Sequence, residues 1–397
     1  MHKIQDAKIE GKKVLLRLDL NVPIELASPA GRGGVISGDK RIREAVPTIQ
    51  YILDHGALEI IIITHLGKPK GKKDDKYSLW PVANKLAELL SIDVNFDGPT
   101  DEYRLSSKIL MLENLRFNPC EEENDPEFAK KLASYGDIFV NDAFGTMHRA
   151  HASTSQVAGV LPSYAGLLVQ KEVEHLEKLL ETKEEPFTII LGGAKIADKL
   201  PVIKNLISRA DNFIIGGAIA NTFLAARRHH MGKSLVEKDA YREANICWQT
   251  IMDEPDKNIY LPVDLTVSLS EKRPDEVKQI KISELLNFNK DLEEYQTVDI
   301  GPETVAKYSQ VISKSKVIFW NGNMGISEIP DFAEGTKAIA KAISKSDAQI
   351  IVGGGDTVAA VEETGIKSKA NLFLSTGGGA TLEFLAGKIL PGLKVLE

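Results

Sequence analysis

Cysteine is scarce in this sequence. Among 397 residues only Cys120 and Cys247 carry a thiol, so the chain cannot build the disulfide framework of a small secreted protein. The two positions also supply no Cys-x-x-Cys metal pair. Their scarcity argues against a disulfide-rich scaffold and against a cysteine-based zinc site.

Long hydrophobic runs are missing as well. No segment approaches the roughly 20 apolar residues that a membrane-spanning helix needs, and Met1–Asp6 lacks the apolar region of a signal peptide. Positive charge is not in excess either, since the formal net charge is −7. We therefore expect a soluble cytoplasmic protein whose main activity is neither nucleic-acid binding nor membrane binding.

Two common nucleotide-binding motifs are also absent. The chain contains no Gly-x4-Gly-Lys-Ser/Thr phosphate loop, and no Gly-x-Gly-x-x-Gly turn follows a predicted strand. An NAD-dependent dehydrogenase of α/β fold needs the second motif with an acidic residue about 20 positions further on. That function remains an alternative, but the sequence disfavours it.

Apolar runs alternate with helical patterns nearly throughout the chain. In the first half the predicted strands are Val14–Leu20, Glu59–Thr64, Lys108–Leu112 and Asp137–Asn141, and the predicted helices are Ile42–Asp54, Trp80–Leu90 and Pro126–Ser134. In the second half the predicted strands are Phe187–Leu191, Asn212–Ile215, Val317–Trp320, Ala348–Val352 and Leu372–Leu374. Continuous Ile, Leu and Val runs are typical of parallel strands covered on both faces. The alternation predicts an α/β protein with two doubly wound domains of about 200 residues each.

The junction between the domains is predicted in a long helical pattern from about Tyr164 to Glu181. One face of this pattern is charged, and Pro186 stops the helix before the next strand. Such a helix would join the domains rigidly and allow a hinge. The segments Tyr241–Met252 and Lys278–Asn289 are interpreted as less regular insertions.

A glycine-containing turn stands near the middle of the chain. The apolar run Phe187–Leu191 is followed by Gly192-Gly193, and the pattern beyond predicts a helix through Ile207. Glycines let backbone N–H groups approach an anion, and Lys195 and Lys199 place two cations on one side of the helix start. The turn is interpreted either as a polyphosphate cradle or as a tight strand–helix connection.

Basic and polar residues follow the predicted strands of the first half. They are Arg17–Pro23, Thr64–Lys68, Glu113–Phe117 and Asn141–His151, with Arg41 and Arg43 at the start of the first helix. Taken singly, Asp19 and Asn21 fit a turn, and His65 fits a buried histidine. Arg116 fits a partner for the acidic run Glu121–Glu123. Because ligands of open α/β sheets bind at the carboxyl ends of strands, the set predicts a pocket for a small polyanion with a phosphate and a carboxylate, held by forked guanidinium bonds.

The strand ends of the second half are rich in glycine instead. They are Gly192–Gly193, Gly216–Gly217, Gly353–Thr357 and Gly377–Gly379. Each precedes a helical pattern, so several helix N-termini would offer N–H groups to the phosphates of a nucleotide. Asp356 is predicted as a Mg²⁺ ligand, although a helix N-cap explains an aspartate equally well. Trp320–Gly325 is interpreted either as a site for base and ribose or as a plain turn.

The motifs at these strand ends are similar to those of the phosphoglycerate kinase family. The matching segments occur in the family's order, from residue 17 to about residue 388. They are Arg17–Pro23, Thr64–Gly67, Leu112–Phe117, Asn141–Thr146, Gly192–Lys195, Asp299–Pro302, Trp320–Gly322, Gly353–Thr357 and Ser375–Gly379.

The resemblance implies two Rossmann-like lobes and a reversible, Mg²⁺-dependent phosphoryl transfer from 1,3-bisphosphoglycerate to ADP. The N-terminal lobe, residues 1–170, would bind 3-phosphoglycerate, and residues 171–387 would bind ATP or ADP. The C-terminal segment 388–397 would pack back on the first lobe. Small-molecule substrates are the implied partners, and members of the family are commonly monomers.

The matched motifs also imply the site residues. Those implied to bind 3-phosphoglycerate are Asp19, Leu20, Asn21, Arg41, His65, Leu66, Gly67, Lys68, Arg116 and Arg149. Those implied to bind the nucleotide are Gly193, Lys199, Gly216, Gly217, Asn321, Glu328, Gly353, Gly354, Gly355, Asp356 and Thr357, with Asp356 also holding Mg²⁺. The implied catalytic residues are Arg41, Lys195 and Gly378.

The sequence departs from the family's usual motifs at three positions. Lys68 stands where an arginine is usual, and it keeps the charge without the bidentate fork. Asn323 replaces a proline, and Ser327 replaces an aromatic residue just before Glu328. The segment Ala27–Lys40 is more glycine-rich than expected and is interpreted as a flexible surface loop.

The implied reaction needs no protein nucleophile, because the substrate carboxylate and the ADP phosphate are nucleophiles themselves. Catalysis would consist of positioning and charge stabilisation, and closure of the lobes about the helix near Tyr164–Glu181 would bring the substrates together. A catalytically silent binding protein of the same fold is the second alternative. It predicts replacement of Lys195, Arg41 or Asp356, and none is replaced.

Overall fold

The computed structural model describes residues 1–26, 34–272, 276–287, 289–365 and 369–397. These residues form two compact units. The first consists of Met1–Glu174 together with Ile389–Glu397, and the second consists of His175–Lys388. Each unit is built around a largely parallel sheet, so the predicted α/β class with two parallel-sheet domains is confirmed.

The first unit contains a six-stranded sheet and a two-stranded one. Its strands are β1 (Lys13–Leu18), β2 (Ile24–Leu26), β3 (Gly34–Ile36), β4 (Glu59–Ile63), β5 (Glu102–Ser106), β6 (Ile109–Leu112), β7 (Ile138–Asp142) and β8 (Ser163–Ala165). The larger sheet has the order β5-β6-β4-β1-β7-β8, and its pairings are parallel except that of β5 with β6. The helices are α1 (Lys40–Asp54), α2 (Trp80–Leu89), α3 (Pro119–Glu122), α4 (Pro126–Ala133) and α5 (Leu167–Glu181), the last of which continues into the second unit.

The central strands of the first unit are buried on both faces. Val14, Leu16 and Ile62 belong to one apolar cluster, whereas Leu15 and Ile61 belong to another. Because successive side chains of a strand point to opposite faces, a continuous apolar run supplies both clusters at once. The parallel pairing brings the carboxyl ends of β1, β4, β6 and β7 to one edge of the sheet.

The second unit contains a six-stranded sheet and a three-stranded one. Its strands are β9 (Phe187–Leu191), β10 (Asn212–Ile215), β11 (Asn258–Tyr260), β12 (Asp264–Ser268), β13 (Val277–Lys281), β14 (Gln296–Ile300), β15 (Val317–Asn321), β16 (Gln349–Gly353) and β17 (Leu372–Leu374). The larger sheet has the order β11-β10-β9-β15-β16-β17 and is parallel. The smaller sheet, β13-β12-β14, is antiparallel, and the sequence patterns do not predict it.

The helices of the second unit are α6 (Leu200–Leu206), α7 (Gly217–Ala226), α8 (Tyr241–Met252), α9 (Pro302–Lys314), α10 (Glu334–Ser344), α11 (Gly355–Glu363) and α12 (Gly379–Leu385). The last helix of the chain, α13 (Pro391–Lys394), belongs to the first unit. There the Gly392 N–H donates to the Met147 carbonyl at 2.9 Å, and the His2 N–H donates to the Leu396 carbonyl at 2.6 Å. In the described ranges of the chain, no helix is both long and apolar enough to cross a membrane.

Two helices differ from the sequence-based prediction. Tyr241–Met252 forms the regular helix α8, whose residues Ala244, Cys247 and Ile251 are buried. Their spacing of three and four residues marks one helical face, so the interpretation of this segment as an irregular insertion is wrong. Tyr164 belongs to β8, and α5 therefore begins only at Leu167.

The turn after β9 does not open a helix directly. Residues Ile196–Asp198 form a 3-10 turn, and α6 begins at Leu200, so the prediction of a helix directly after Gly192-Gly193 is wrong. Lys195 and Lys199 occupy the N-cap positions of the 3-10 turn and of α6, and within the described part of the chain neither side chain makes a capping hydrogen bond.

Of the loop predicted over Ala27–Lys40, residues 27–33 lie outside the described residues. Residues Gly34–Ile36 form β3, which pairs with β2, and α1 begins at Lys40, so the described part is not wholly a loop.

Leucine 16 provides a test of the central core. Leu16 is fully buried in β1, so Leu16→Ala should lower the free energy of unfolding by about 2–5 kcal/mol through lost burial and the cavity left behind. Leu58→Ala, at a 56% exposed position just before β4, should change it by less than about 0.5 kcal/mol. Denaturant unfolding followed by circular dichroism measures both, and equal effects would contradict this packing.

Candidate functional site

The chain after β1 holds Arg41 in place. The Oδ1 atom of Asp19 accepts hydrogen bonds from the Asn21 N–H and from the Arg41 guanidinium, both at 3.2 Å. Arg41 also donates to the Asn21 carbonyl at 2.9 Å. The turn expected at Asp19 and Asn21 is therefore present, and the same turn carries an arginine of the predicted pocket.

Two further bonds connect the loops that follow β1, β4 and β6. The Gly67 N–H donates to Asn21 Oδ1 at 2.9 Å, and Arg116 donates to the Gly67 carbonyl at 2.8 Å. Gly67 has φ +61°, and a Cβ there would lie 2.4 Å from the Tyr77 ring. Only glycine fits this position without strain. Its N–H and its carbonyl then bond to Asn21 and to Arg116, so the residue connects these two side chains.

Arg116 is almost fully buried, with 4% of its surface exposed. Its Nε lies 3.3 Å from the Glu122 carboxylate, so the alternative of a local ion pair holds for one edge of the guanidinium. Burial lowers the pKa of Arg116, Glu122 opposes this, and Arg149 lowers it further. The other edge of the guanidinium donates to the Gly67 carbonyl. Arg116 therefore makes the local ion pair and also takes part in the predicted pocket.

His65 is buried next to a buried arginine. The Arg17 guanidinium lies 3.3 Å from His65 Nδ1, and a guanidinium can only donate, so Nδ1 accepts and the proton of the neutral ring is on Nε2. Burial holds the pKa of His65 well below its usual value, and the charges of Arg17, Arg116 and Arg41 lower it further. The imidazole is therefore a neutral N–H donor among cations.

A buried network next to His65 is not among the sequence-based predictions. Arg17 Nε donates to Ser153 Oγ at 2.8 Å, and Ser153 donates its hydroxyl to Glu121 at 2.6 Å and its N–H at 3.0 Å. Arg17 and Glu121 are fully buried, and Glu121 offsets the guanidinium charge. A charged residue inside the apolar run of β1 is the sequence signal for Arg17, but no comparable signal identifies Glu121.

His151 belongs to the same cluster. Burial, together with the charges of Arg116 and Arg17, lowers the pKa of His151 to about 4. Its Nδ1 lies 3.8 Å from Glu121, but a neutral ring makes no ion pair there. The cluster thus contains two neutral imidazoles.

The remaining predicted residues of this pocket lie in different surroundings. Leu20 and Leu66 are buried, and the Leu20 N–H donates to Thr64 Oγ1 at 3.1 Å. Lys68 and Arg149 are exposed. Arg149 donates to the neighbouring His148 at 3.1 Å, and its charge acts on Arg116 and on His151. Asp19, Asn21, Arg41, His65, Gly67 and Arg116 therefore form the bonded or electrostatically coupled centre of the pocket.

The second unit contains a cavity of about 590 Å³ at the carboxyl ends of its parallel strands. The predicted residues that line it are Gly193, Lys199, Gly217, Asn321, Glu328, Gly354, Gly355, Asp356, Thr357 and Gly378. Lys195, Gly216 and Gly353 were also predicted, and they lie outside the lining given by the described residues.

The glycines after β9, β10 and β15 have a different physical role from the one expected. The Gly193 N–H donates to the Asn323 carbonyl at 2.8 Å, and the Gly217 N–H donates to the Met324 carbonyl at 3.0 Å. These amides are therefore engaged within the protein. A Cβ on Gly217 would lie 2.5 Å from the Gly193 nitrogen, and one on Gly322 would lie 2.3 Å from the Gly192 carbonyl oxygen. The glycines allow three loops to pack closely beside the cavity.

Helix α11 presents its N-terminus to the cavity. Its N-cap is Gly354, with φ +96°, and Asp356 lies exposed in the first turn, so the alternative of an N-cap aspartate is wrong. The first N–H groups of a helix have no intrahelical partner, which leaves the amides of this turn to face an anion. Thr357 Oγ1 accepts from the Gly322 N–H at 2.8 Å, and Asn321 donates to the Gly353 carbonyl at 2.8 Å.

Asp356 is a single exposed carboxylate, and its surroundings suit a metal ion that needs few protein ligands. No cluster of three His, Cys, Asp or Glu side chains that could hold a metal occurs within the described part of the chain. Mg²⁺ needs no such cluster, because it usually binds one or two carboxylates together with waters and substrate phosphates. An exposed carboxylate in the first turn of α11 fits that requirement.

Lys195 and Lys199 lie close enough to influence each other. Lys199 is 9% exposed and lines the cavity. Burial lowers its pKa, Asp198 opposes this, and Lys195 lowers it further. Lys195 itself is exposed. The two cations are thus present in one region, as the sequence predicts, although a 3-10 turn separates them.

The aromatic residue of Trp320–Gly325 does not face the cavity. Trp320 is fully buried and donates its indole N–H to the Gly322 carbonyl at 2.9 Å, so it cannot stack on a base. The segment contributes Met324 to the apolar lining instead. The other apolar lining residues, Leu235, Val298, Ile326 and Leu382, are not among the sequence-based predictions. They come from separate segments of the chain, so no local motif identifies them.

Asp299 also lines this cavity, and the sequence-based predictions give it no role there. It is 3% exposed and lines the cavity. Its carboxylate accepts from the Gly335 N–H at 2.6 Å and from the Ile300 N–H at 2.9 Å. Burial raises the pKa of Asp299 to about 7 although both bonds oppose the shift. Asp299 thus connects β14 to the start of α10.

Comparison with known proteins identifies one family throughout. A family model described as phosphoglycerate kinase matches residues 4–388. The phosphoglycerate kinases of Moorella thermoacetica and Dictyoglomus turgidum are 46% and 47% identical to the chain, and each alignment covers 99% of the chain and 98% of the relative. The structure is similar to that of phosphoglycerate kinase from Coxiella burnetii, with a TM-score of 0.79, 37% identity and coverage of 99% and 98%. It is also similar to that of the Pyrococcus horikoshii enzyme, with a TM-score of 0.82, 34% identity and coverage of 100% and 98%.

The pKa of His151 predicts how stability depends on pH. The folded-state pKa of about 4 lies below the usual 6.5, so the unfolded state binds this proton first as the pH falls. The contribution of His151 to stability is therefore present above pH 6.5 and is lost between pH 6.5 and about 4. The free energy of unfolding, measured with denaturant at pH 7 and pH 4.5, should therefore fall less with pH in His151→Gln than in the wild type.

Direct titration provides the check on that assignment. In a histidine NMR titration, the ring resonances of His151 should stay in the neutral form down to pH 5. A midpoint near pH 6.5 for His151 would contradict the environment described for it.

Proposed function

Because the chain belongs to the phosphoglycerate kinase family, we propose that its first unit binds 3-phosphoglycerate and its second unit binds ATP or ADP. The enzyme transfers a phosphoryl group reversibly from 1,3-bisphosphoglycerate to ADP, giving 3-phosphoglycerate and ATP in glycolysis and gluconeogenesis. ATP and ADP are therefore substrates. The proposal concerns the residues that perform each part of this reaction.

The basic pocket of the first unit binds the glycerate. Arg41 and Arg116 offer forked donors to phosphate and carboxylate oxygens, and Arg149 adds a third cation from an exposed position. His65 donates its Nε2–H without adding charge. Asp19 and Asn21 hold Arg41 in position. Leu20, Leu66, Gly67 and Lys68 complete the predicted pocket.

The cavity of the second unit binds the nucleotide, and this assignment rests on one observation. A space of about 590 Å³ is lined by apolar side chains, by the first turn of α11 and by Lys199. The apolar side chains suit a base, and the helix N-terminus with Lys199 suits phosphates. Glu328, which lines the cavity, accepts from ribose hydroxyl groups. Gly217 allows the close packing of the loops, and Gly193 and Gly354 adopt positive φ beside the cavity.

Asp356 would hold Mg²⁺ together with the nucleotide phosphates. When bound, the ion would supply positive charge to the phosphate oxygens. The protein's own part is to offer one exposed carboxylate in the lining of the cavity, since Mg²⁺ usually binds one or two carboxylates together with waters and substrate phosphates.

The phosphoryl transfer itself needs charge stabilisation rather than a protein nucleophile. The migrating group carries negative charge on its equatorial oxygens in a loose, in-line transition state. Lys195, exposed beside the cavity, and Arg41 neutralise that charge from the nucleotide and glycerate sides, and the Gly378 N–H donates to the same oxygens. The carboxylate of 3-phosphoglycerate or the terminal phosphate oxygen of ADP attacks directly.

We extend the proposal to a monomeric, cytoplasmic enzyme that binds no nucleic acid. The net charge of −7 disfavours nucleic-acid binding, and the substrates are small metabolites. Size-exclusion chromatography with light scattering measures the oligomeric state, and a mass of twice 43.5 kDa would contradict the monomer.

A coupled assay with ATP, Mg²⁺ and 3-phosphoglycerate is the first test of the proposed function. Turnover that requires all three supports the proposal. Nucleotide binding without turnover would favour a silent binding protein of the same fold. A fluorescence titration with NADH tests the dehydrogenase alternative, which needs saturable binding.

Lysine 195 provides the test of charge stabilisation. Lys195→Ala should lower kcat by about 10²–10³, equivalent to about 2.7–4 kcal/mol, because one cation at the transition state is lost. The circular dichroism spectrum should not change, since the side chain is exposed. Lys204→Ala, at an exposed position in α6 of the same unit, is the matched control. Near-normal turnover in Lys195→Ala would refute the role given to this residue.

Asp356 provides the test of the metal site. Asp356→Asn should raise the Mg²⁺ concentration for half-maximal activity by about tenfold or more, because the charged ligand is lost. Asp331→Asn changes an exposed aspartate of the same unit and should leave that concentration unchanged. A metal titration of activity measures both, and equal curves for Asp356→Asn and the wild type would contradict the assignment.

A further inference from the structure

Asn323 and Ser327 form a side-chain pair in the loop between β15 and α10. Asn323 Nδ2 donates to Ser327 Oγ, and Asn323 is only 7% exposed. Asn323 lines the cavity of the second unit, as does Glu328, the residue next to Ser327. Two of the three departures from the family's usual motifs are therefore in contact with each other.

Within the described part of the chain, backbone N–H groups anchor this loop at Met324 and Ile326 and not at Ser327. The Met324 N–H donates to Thr336 Oγ1, and the Ile326 N–H donates to the Val298 carbonyl, both at 2.9 Å. Beyond Ile326 the chain turns, and the Ile329 N–H donates back to the Ile326 carbonyl at 3.1 Å. The bond from Asn323 therefore restrains the one segment that carries Glu328.

Asn323 itself is well fixed. Its carbonyl accepts from the Gly193 N–H at 2.8 Å, and a Cβ on Gly192 would lie 2.2 Å from that carbonyl oxygen. A residue held this closely by its backbone is a rigid point from which a side chain can hold another segment.

The amide of Asn323 is only half satisfied. Its Oδ1 is buried and has no hydrogen-bond partner among the described residues. A buried acceptor without a partner costs stability, so the amide is an unfavourable choice for packing alone. What the amide supplies in return is the bond from Nδ2 to Ser327, which indicates a role in the geometry of the loop.

We propose that Asn323 and Ser327 act together as a positioning pair for the bound nucleotide. Their bond fixes the backbone at Glu328, so that the Glu328 carboxylate stays at the cavity where it would meet the nucleotide's hydroxyl groups. This inference rests on the proposed assignment of the cavity to ATP and ADP. Neither residue touches the reacting atoms, so their effect belongs to nucleotide affinity and not to the chemical step.

The test is a double-mutant cycle on Ser327→Ala and Asn323→Ala. Each single change should raise the Kd for Mg-ADP and the KM for ADP by about three- to tenfold, the equivalent of one lost hydrogen bond. The double variant should be no weaker than the singles, because both remove the same bond. The kcat value and the KM for 3-phosphoglycerate should stay within about twofold of the wild type.

Three further variants separate positioning from a general loss of structure. Ser327→Thr keeps a hydroxyl and should restore nucleotide affinity. Ser344→Ala removes a hydroxyl that bonds within α10 and should have no effect. Combining Ser327→Ala with Glu328→Ala should weaken binding no more than Glu328→Ala alone, because Ser327 acts through Glu328.

The proposal is overturned if the single variants bind Mg-ADP as the wild type does, or if their effects add in the double variant. Calorimetric titration of Lys199→Ala and Asp356→Asn with Mg-ADP tests separately whether the cavity binds the nucleotide. If these two variants also bind normally, the assignment of the cavity is wrong, and the pair loses its role with it. If they bind weakly while Ser327→Ala does not, only the positioning pair is wrong.

Discussion

Three loops of the second unit approach each other so closely that only glycine fits between them. A Cβ on Gly192 would lie 2.2 Å from the Asn323 carbonyl oxygen, one on Gly217 would lie 2.7 Å from the same atom, and Gly322 faces Gly192 in the same way. The close approach lets backbone bonds join the ends of β9, β10 and β15. Substituting any of these glycines would force the loops apart. These loops form part of the cavity lining, and the Gly322 N–H, which donates to Thr357 Oγ1, connects them to the first turn of α11.

In the first unit, a buried charged network fixes the surroundings of the candidate site residues. Arg17 cannot reach solvent, and Ser153 connects it to Glu121, so its charge is offset inside the protein. Such a network is costly when one partner is missing, which makes its geometry strict. Burial lowers the pKa of His65, and the charges of Arg17, Arg116 and Arg41 lower it further. In the proposed glycerate pocket, a neutral donor of fixed tautomer would bind a phosphate without adding repulsion among the cations.

Much of the fold could be predicted from local sequence, and less of the site could. Continuous apolar runs identify the buried parallel strands because each run must cover two faces, and β9, β10 and β17 have the predicted ends. Polar residues at strand ends indicate the candidate pockets, because ligands of open α/β sheets bind at the carboxyl ends of the strands. Contacts between distant segments leave no local pattern, and Arg17 and Ser153 are 136 residues apart. Burial of Trp320 and the engaged amides of Gly193 and Gly217 likewise depend on neighbours that no single segment contains.

The boundary between the two units has a consequence for synthesis on the ribosome. The first unit contains Met1–Glu174 but also Ile389–Glu397, whereas the second is one continuous stretch, His175–Lys388. A growing chain therefore completes the second unit before the last segment of the first has been made. Until then, the backbone groups of His2 and Met147 lack their C-terminal partners. The unit that is begun first is the one that is finished last.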